Sequence, residues 1–529
     1  MDIVVRGATV VDGTGSPGFA ADIGIREGRI AEIGPGLSGT RVIDAAGLVA
    51  APGFIDMHSH SDVQVLAKPD HLAKISQGVT LEVLGQDGLS YAPVDDRTLD
   101  GLRTQLAGWN DDPAGFDWDW RSVGEYLDRL DKGIAVNAAY LLPQGTIRML
   151  AVGWEARPAT PSEMDRMRSL IATGLTEGAV GMSSGLTYTP GMYADTDELV
   201  ALCEVVGELG GYYSPHHRSY GAGALEAYAE MVDVSRRSGC PLHLAHATMN
   251  FPVNAGRADE LLSLLDNAIA DGVDISLDTY PYLPGSTYLS ALLPSWAGEG
   301  GPDATLERLS DPDTRERIRV DLEEVGSDGC MGVPIDWSWI EINGVRRPEN
   351  AHLVGRTVAA SAVLSGRSPT DFYFDVLISE RLGTSCLMHV GHEDNVRAIM
   401  RHPAHTAGSD GLLVGERPHP RAWGTFPRYF ARYVRELGIL SIEDCVAHLT
   451  GRPARRLRLT DRGLLRPGHA ADLVLFDPAT ITDTATFDNP RQPATGIPYV
   501  LVNGTPVIDD TRHTGALPGH SIRKAGPHP

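Results

Sequence analysis

From residue 53 to residue 410 the chain alternates between short apolar runs and segments with the pattern of helices. Alternation of this kind predicts parallel β/α units. Eight candidate strands can be placed, and eight such units form a (β/α)8 barrel, whose active site lies at the C-terminal ends of the strands. The candidate strands end near His58-Ser59-His60, Leu84-Gly85-Gln86-Asp87, Tyr140-Leu141-Leu142, Gly181-Met182-Ser183-Ser184, Ser214-Pro215-His216, Leu244-Ala245-His246, Asp278-Thr279-Tyr280 and Ala407-Gly408-Ser409-Asp410.

The two ends of the chain have a different pattern from the middle. Both carry short β-prone runs separated by Gly and Asp. We therefore predict that residues 1–52 and 466–529 assemble one small β-sandwich-like domain beside a barrel of residues 53–465. The tail Arg523–Pro529 is predicted to be disordered.

A long insertion is predicted late in the barrel. The stretch from Tyr282 to about Cys386 is too long for one crossover between neighbouring strands. We expect a helical insertion at about residues 287–385, with one charged helix from Asp311 to Val325. An insertion in a βα loop lies over the barrel mouth, where it can act as a lid.

Composition narrows the function before any motif is considered. The formal net charge of −24 and a pI near 5.1 argue against nucleic acid or an anionic membrane as a partner. The chain shows no signal peptide pattern and no apolar run long enough for a membrane span. Five cysteines are scattered without C-x-x-C spacing, which suits a reducing compartment and gives no cysteine zinc site. We expect a cytoplasmic protein that acts on a small molecule, with its oligomeric state left open.

Polar residues that can bind a metal recur where the predicted strands end. His58 and His60 follow an apolar run at i, i+2 spacing, which points both imidazoles to the same face of a strand. Buried polar and charged groups are costly unless they are paired or bound to a metal. The sequence therefore predicts one metal centre with these candidate ligands: His58, His60, Asp87, His216, His246 and Asp410.

Several motifs resemble those of one enzyme family through nearly the whole chain. The motifs are Pro52-Gly53-Phe54-Ile55-Asp56-Met57-His58-Ser59-His60, Gly185-Leu186-Thr187-Tyr188-Thr189-Pro190-Gly191, Tyr280-Pro281-Tyr282, Gly285-Ser286-Thr287, Gly408-Ser409-Asp410-Gly411, His419-Pro420-Arg421-Ala422-Trp423-Gly424-Thr425-Phe426 and Ala471-Asp472-Leu473-Val474. The tract from His419 to Phe426 is quite specific to the N-acyl-D-amino-acid deacylases (D-aminoacylases) of the amidohydrolase superfamily, and by this resemblance the chain is identified as a member of that group.

The resemblance implies two adjacent metal positions, one held by His58, His60 and Asp410, and a usually tighter one held by His216 and His246. The family's remaining ligand is a cysteine, which corresponds to Asp87 in this chain. A carboxylate keeps the negative charge of a thiolate but favours harder metals. The implied cofactor is Zn²⁺, with one ion tightly bound and a second weak or absent.

Lysine is rare in this chain, which bears on two alternative functions. Other amidohydrolases bridge two metals with a carboxylated lysine, but Lys132 precedes its strand and Lys74 lies in the helix after the first strand. Cyclic amide hydrolases of the hydantoinase or dihydroorotase type usually rely on that lysine and rank second. A further alternative is a superfamily member with a non-hydrolytic reaction on a specialised metabolite, because Asp87 and Thr248 both depart from the family pattern.

The resemblance also implies roles in the reaction. Asp410 is expected to take a proton from the nucleophilic water and to give it to the departing nitrogen. Arg421, Tyr280 and Ser286 are expected to bind the α-carboxylate of the substrate, since an arginine fork binds a carboxylate through two parallel hydrogen bonds. Thr248 stands where the family usually has a lysine that assists this binding. We predict hydrolysis of a non-peptide amide bond in a small molecule that carries a carboxylate.

Three other histidines are assigned to structure. His389 and His392 form an i, i+3 pair just before a predicted helix, and we place them in structure or at the pocket rim. His405 precedes the last barrel strand, so it is expected at the end of the barrel opposite the site.

Overall fold

Eight parallel strands form the centre of the molecule, as the alternating pattern predicts. The computed structural model, which describes residues 1–524, places them in one sheet in the order of the chain. Met57 N donates to Ala407 O at 3.1 Å between the first and last strands, so the sheet nearly closes into a barrel. All residues of these strands are buried, as expected for parallel strands covered on both faces. The strands are Phe54–Asp56, Val79–Leu84, Asn137–Pro143, Gly181–Gly185, Tyr212–His216, Leu242–Leu244, Ile275–Thr279 and His405–Ala407.

Helices connect the strands and cover the outside of the barrel. Two of them begin with capping boxes, Ser122 with Glu125 and Thr160 with Glu163. Among residues 1–524, no helix combines the length and apolarity that a membrane crossing requires. The barrel helices are Gln64–Ala67, Leu72–Ile75, Asp96–Gln105, Ala107–Asn110, Val123–Leu130, Gln144–Ala151, Pro161–Glu177, Thr196–Glu208, Ala224–Ser238, Ala258–Ala270, Glu393–Met400, Arg421–Arg428, Tyr429–Glu436 (a π-helix), Ile442–Leu449 and Gly451–Arg456.

Strands from both ends of the chain form one nine-stranded sheet beside the barrel. Leu473–Phe476, near the C-terminal end, pairs antiparallel with Val49–Pro52, near the N-terminal end. Successive side chains of a strand point to opposite faces. One face of Leu473–Phe476 therefore packs in the core of this domain and the other against Phe54 of the barrel. The limits predicted for the domain, residues 52 and 466, stay predictions. The strands are Ile3–Val10, Phe19–Arg26, Arg29–Gly34, Arg41–Asp44, Val49–Pro52, Leu473–Phe476, Tyr499–Val502, Thr505–Asp509 and Arg512–His513.

The insertion between the seventh and eighth barrel strands contains a sheet as well as helices. Gly285–Tyr288 and Ser385–Met388 pair antiparallel, and Ile340–Gly344 and Arg356–Thr357 complete four strands. The helical prediction misses this sheet because its short strands pair over long separations in sequence, which local patterns do not report. The insertion helices are Pro302–Ser310, Pro312–Val320, the π-helix Asp321–Val325, Val358–Ser365 and Pro369–Ser379, so the charged helix predicted from Asp311 to Val325 is present, with Asp311 as its cap.

The last two described residues, Arg523 and Lys524, contact the barrel. Arg523 Nη2 lies 3.0 Å from Asp131 Oδ2, and Lys524 N donates to Gly178 O at 3.0 Å. The prediction of disorder is therefore wrong for these two residues, because their contacts hold them on the barrel. The rest of the predicted tail, residues 525–529, lies outside the described residues.

A buried ion pair joins the first barrel strand to the helix that follows it. Lys74 Nζ lies 2.6 Å from Asp56 Oδ2, and both side chains are 0% exposed. Lys74→Met is expected to destabilise the protein by about 3–5 kcal/mol, because Asp56 becomes an uncompensated buried charge. Chemical denaturation followed by circular dichroism measures this free energy of unfolding. The exposed control Lys132→Met should change it by less than about 0.5 kcal/mol, and equal losses in both variants would contradict the assignment.

Candidate metal centre

The structure brings all the predicted ligands together at the C-terminal end of the barrel. Three of them, Asp87, His246 and Asp410, have positive φ angles of 54°, 29° and 48°. Backbone conformations of this kind are uncommon outside glycine and cluster at functional sites. The ligand-capable side chains follow or end the first, second, fifth, sixth and eighth strands: His58, His60, Asp87, His216, His246 and Asp410.

One group of possible ligands surrounds His60. Its Nε2 lies 3.3 Å from His58 Nε2, 3.2 Å from Asp410 Oδ1 and 3.5 Å from Asp87 Oδ2. All four side chains are buried, and their ligand atoms lie within 4.8 Å of one another. Ligand atoms this close together can surround a single cation.

A second group adjoins the first and shares Asp87 with it. His216 Nδ1 lies 3.1 Å from His246 Nε2 and 3.4 Å from Asp87 Oδ2. Asp87 Oδ1 lies 3.5 Å from His246 Nε2 and 3.4 Å from His58 Nε2, a ligand of the first group. Asp87 therefore stands between the two positions, where a ligand common to both would be.

The electrostatics of these groups fit a bound cation. Burial raises the pKa of Asp87, but His58, His246 and His216 hold that pKa well below its usual range. Asp87 Oδ1 is buried and has no hydrogen-bond partner among the described residues, although buried polar atoms are normally paired. Imidazole nitrogens with carboxylate oxygens are a donor set that zinc accepts. The residues present therefore fit a divalent metal.

The one lysine that is buried in residues 1–524 does not reach the metal groups. Lys74 Nζ is held by Asp56 and Ser409 and lies 3.7 Å from Glu82 Oε2. It is therefore not placed to form the lysine bridge on which cyclic amide hydrolases usually rely. This observation weighs against the second-ranked interpretation.

Asp278 is a site residue to which the sequence analysis gave no role. Its Oδ1 accepts from His246 N at 3.0 Å, and its Oδ2 lies 2.9 Å from His243 Nε2 and 3.8 Å from His58 Nδ1. Burial raises the pKa of Asp278, but His243 and His58 together lower it. A carboxylate behind metal-binding histidines orients them. Its position at the end of the seventh barrel strand was the only sequence signal for it.

The residues predicted to bind the substrate carboxylate also gather here. Arg421 is fully buried: its Nη2 lies 2.8 Å from Asp410 Oδ2, and its Cζ lies 4.4 Å from the centre of the Tyr280 ring. Tyr280, Ser286 and Thr248 line the cavity over the metal groups, whereas Arg421 is not a lining residue and donates from Nη2 to Ser286 O at 3.3 Å. Arg421 Nε and Nη1 have no hydrogen-bond partner among residues 1–524.

The cavity over the metal groups has a volume of about 60 Å³, and its walls are largely aromatic and apolar. Trp109, Tyr188 and Tyr220 come from the barrel, while Met331 and Met388 come from the insertion. The insertion therefore lies over the barrel mouth, and its movement as a lid stays a prediction.

The three histidines that the sequence assigned to structure lie outside the metal groups. His389 Nε2 is 3.0 Å from Glu341 Oε2, and His392 Nε2 bonds to Phe251 O at 2.8 Å. His405 begins the eighth strand, and its Nδ1 lies 2.8 Å from His448 Nδ1.

Fold and site together define a metal-dependent hydrolase built on a (β/α)8 barrel, and sequence comparisons agree. A model described as "Amidohydrolase family" matches residues 41–508. D-aminoacylase from Alcaligenes xylosoxydans xylosoxydans is 35% identical over 527 residues, which cover 99% of this chain and 98% of that protein. N-acyl-D-glutamate deacylase from the same organism is 34% identical over 528 residues, 99% of this chain and 97% of that protein.

A solved structure gives the same answer. N-acyl-D-glutamate deacylase from Bordetella bronchiseptica, complexed with zinc and a phosphonate inhibitor that mimics the tetrahedral reaction intermediate, is 32% identical with a TM-score of 0.85. The match covers 99% of this chain and 100% of that one. The chain belongs to the amidohydrolase family, and the predicted family and fold class are confirmed.

Proposed function

We propose that this protein hydrolyses the amide bond of N-acyl-D-amino acids with one tightly bound zinc ion. The observation that carries the proposal is the position of Asp410 between His60 of the metal group and Arg421. Its Oδ1 lies 3.2 Å from His60 Nε2, and its Oδ2 accepts from Arg421 Nη2 at 2.8 Å. A proton carrier is thus adjacent both to the metal ligands and to a cation suited to a substrate carboxylate. The relatives named above support this substrate class.

The possible metal ligands form two groups, and we assign one to a metal position of higher affinity and the other to a position of lower affinity. Each carboxylate oxygen of Asp87 faces one histidine of each group, which supports the assignment of Asp87 as a ligand in place of the family's cysteine. When bound, zinc supplies Lewis acidity, which acidifies water and polarises the amide carbonyl. The tighter position would be held by His216, His246 and Asp87, and the weaker one by His58, His60 and Asp410.

Asp410 is assigned as the general base and then the general acid. Burial raises its pKa, but Arg421 and the nearby histidines lower that pKa below its ordinary value. The carboxylate is therefore unprotonated at neutral pH, as a base must be. It would accept the proton of the attacking water and deliver it to the departing nitrogen.

The substrate carboxylate is assigned to the cavity wall near Arg421. Ser286 Oγ has no hydrogen-bond partner among the described residues, and two guanidinium nitrogens of Arg421 are likewise unpaired. Tyr280 lies over the guanidinium and closes this side of the cavity. A carboxylate that enters here would gain hydrogen bonds to these unpaired groups.

The cavity favours substrates whose side chains are neutral. Arg421 is already engaged by Asp410, and Thr248 stands where the family usually has a lysine. The cavity is lined by no other cationic side chain among residues 1–524 except the histidines of the metal groups. A second carboxylate on the substrate would therefore be buried without a partner, which is unfavourable.

The test is a panel of N-acetylated amino acids with the zinc-loaded protein. We expect kcat/KM for D-leucine and D-phenylalanine derivatives to exceed that for the D-glutamate derivative by about 10- to 100-fold, the scale of one charged hydrogen bond. Thr248→Lys should narrow this ratio, whereas the neutral control Thr248→Met should not. Absence of amide hydrolysis across both the D and the L series would overturn the proposed function.

We also infer a reducing compartment, the cytoplasm, for this protein. All five cysteines are free and buried. Burial raises the pKa of Cys203 and Cys445 well above the usual range, so these thiols stay protonated and unreactive.

A further inference from the structure

A second cleft lies at the opposite end of the barrel from the metal groups. It has a volume of about 190 Å³ and lies between the first residues of the last two barrel strands and the helix Gly451–Arg456. Ile275 begins the seventh strand and His405 begins the eighth, so the cleft is at their N-terminal ends. No step of the proposed reaction uses it.

The cleft is strongly basic, in contrast to the rest of the chain. Its walls carry four arginines and a single acidic residue, Asp274. The whole chain has a formal net charge of −24, so this concentration of positive charge is local. The arginines of the cleft are Arg452, Arg455, Arg456 and Arg458.

Three of these guanidinium groups lack a counterion. Arg456 is neutralised, because its Nη2 lies 2.6 Å from Asp274 Oδ1 and its Nε donates to Ser276 Oγ at 2.6 Å. Among residues 1–524, the other three arginines have no carboxylate within 4.0 Å. Arg458 Nη1 donates to Gly210 O at 3.1 Å, so its remaining donors are available.

The contacts of Arg452 show most clearly that the cleft has a positive electrostatic potential. It is half-buried, and its Nη1 reaches only the backbone oxygens of His402 and His405, each at 3.5 Å. Burial lowers the pKa of Arg452, and burial together with Arg452 lowers the pKa of His448 to about 3. A partly desolvated guanidinium group without a carboxylate partner, such as that of Arg452, is stabilised by an anion, and the exposed Arg455 and Arg458 add positive charge at the same cleft.

We propose that this cleft binds a phosphate-bearing small molecule. Planar guanidinium groups match the oxygens of a phosphate through paired hydrogen bonds, and three unneutralised arginines offset its two negative charges. The acidic surface elsewhere disfavours a long polyanion such as RNA, which would contact much more than the cleft.

The test compares phosphate binding by the zinc-loaded protein and by the double variant Arg455→Ala/Arg458→Ala, using calorimetry at constant ionic strength. The probes are inorganic phosphate and a nucleoside monophosphate. We expect saturable binding that weakens tenfold or more in the double variant, while kcat/KM for amide hydrolysis is unchanged. Tighter binding of the nucleotide than of phosphate identifies an organic phosphate as the ligand, and equal binding identifies free phosphate.

A control variant with the same change in charge separates the cleft from general electrostatics. Arg97→Ala/Arg512→Ala removes two exposed arginines from other parts of the chain and should bind phosphate as the wild type does. Equal weakening in both double variants would overturn the proposal. Binding that survives unchanged in the cleft variant would do so as well, because phosphate would then be at the metal centre. Binding of an RNA oligonucleotide without binding of either small probe would also overturn it.

Discussion

Asparagine in place of Asp410 is expected to lower kcat for amide hydrolysis by about 10²–10⁴-fold, the range that a positioned general acid–base contributes. Asparagine keeps the size of the side chain and its ability to accept from Arg421, but it takes up no proton at neutral pH. The attacking water then loses its proton acceptor, and the departing nitrogen loses its donor. Steady-state kinetics on the best N-acyl-D-amino acid of the panel measures the effect.

Metal content separates this loss from a simple loss of zinc. Because we assign Asp410 to the weaker metal position, we expect Asp410→Asn to keep the tightly bound ion held by the other group. Glu416→Gln is the matched control, since Glu416 is an exposed carboxylate in the same loop after the eighth strand. Full turnover by Asp410→Asn with normal zinc content would show that Asp410 is not the general acid–base. Another group would then have to transfer the proton.

The barrel could be predicted from sequence because its strands are fully buried, parallel and in chain order. Most of these strands are short apolar runs, and most crossovers between them have the pattern of a helix. The sheet of the insertion is antiparallel, and its strands do not pair in chain order. Gly285–Tyr288 contains Gly, Ser and Thr and pairs with Ser385–Met388, which is remote in sequence. Its formation depends on tertiary packing, so local pattern could not reveal it.

Some residues of the site could likewise be predicted from local sequence pattern, whereas the contacts of others depend on the tertiary fold. His58 and His60 could be found from their spacing and from the strand that carries them. The role proposed for Asp278 depends on three contacts, with His243, His246 and His58, that only the folded chain brings together. The ion pair of Arg421 with Asp410 is equally non-local. The sequence predicts that Arg421 binds only the substrate, whereas in the structure its guanidinium also forms an ion pair with Asp410, the proposed proton carrier.

Removal of the Asp87 carboxylate is expected to abolish tight zinc binding. Asp87 is common to both ligand groups and supplies the negative charge that faces four histidines. Asp87→Ala should weaken zinc affinity by more than about 100-fold, beyond the 10- to 100-fold loss caused by removing groups behind the ligands. Metal analysis by mass spectrometry after dialysis against a weak chelator measures this as a fall from about one zinc per chain to a small fraction. Deacylase activity should fall in parallel.

Asp87→Cys decides whether the loss reflects a missing ligand or a disturbed fold. The family that this chain resembles has a cysteine at this position, and a thiolate restores one negative charge with a zinc-binding atom. We therefore expect Asp87→Cys to recover zinc binding, while Asp87→Asn, which keeps the shape but not the charge, should resemble the alanine variant. Full zinc content in Asp87→Ala would show that Asp87 lies outside the coordination sphere and that the histidines hold the ion without it. Loss of zinc in Asp87→Cys, with folding intact by circular dichroism, would mean that this site selects an oxygen ligand and hence a harder metal than its relatives bind.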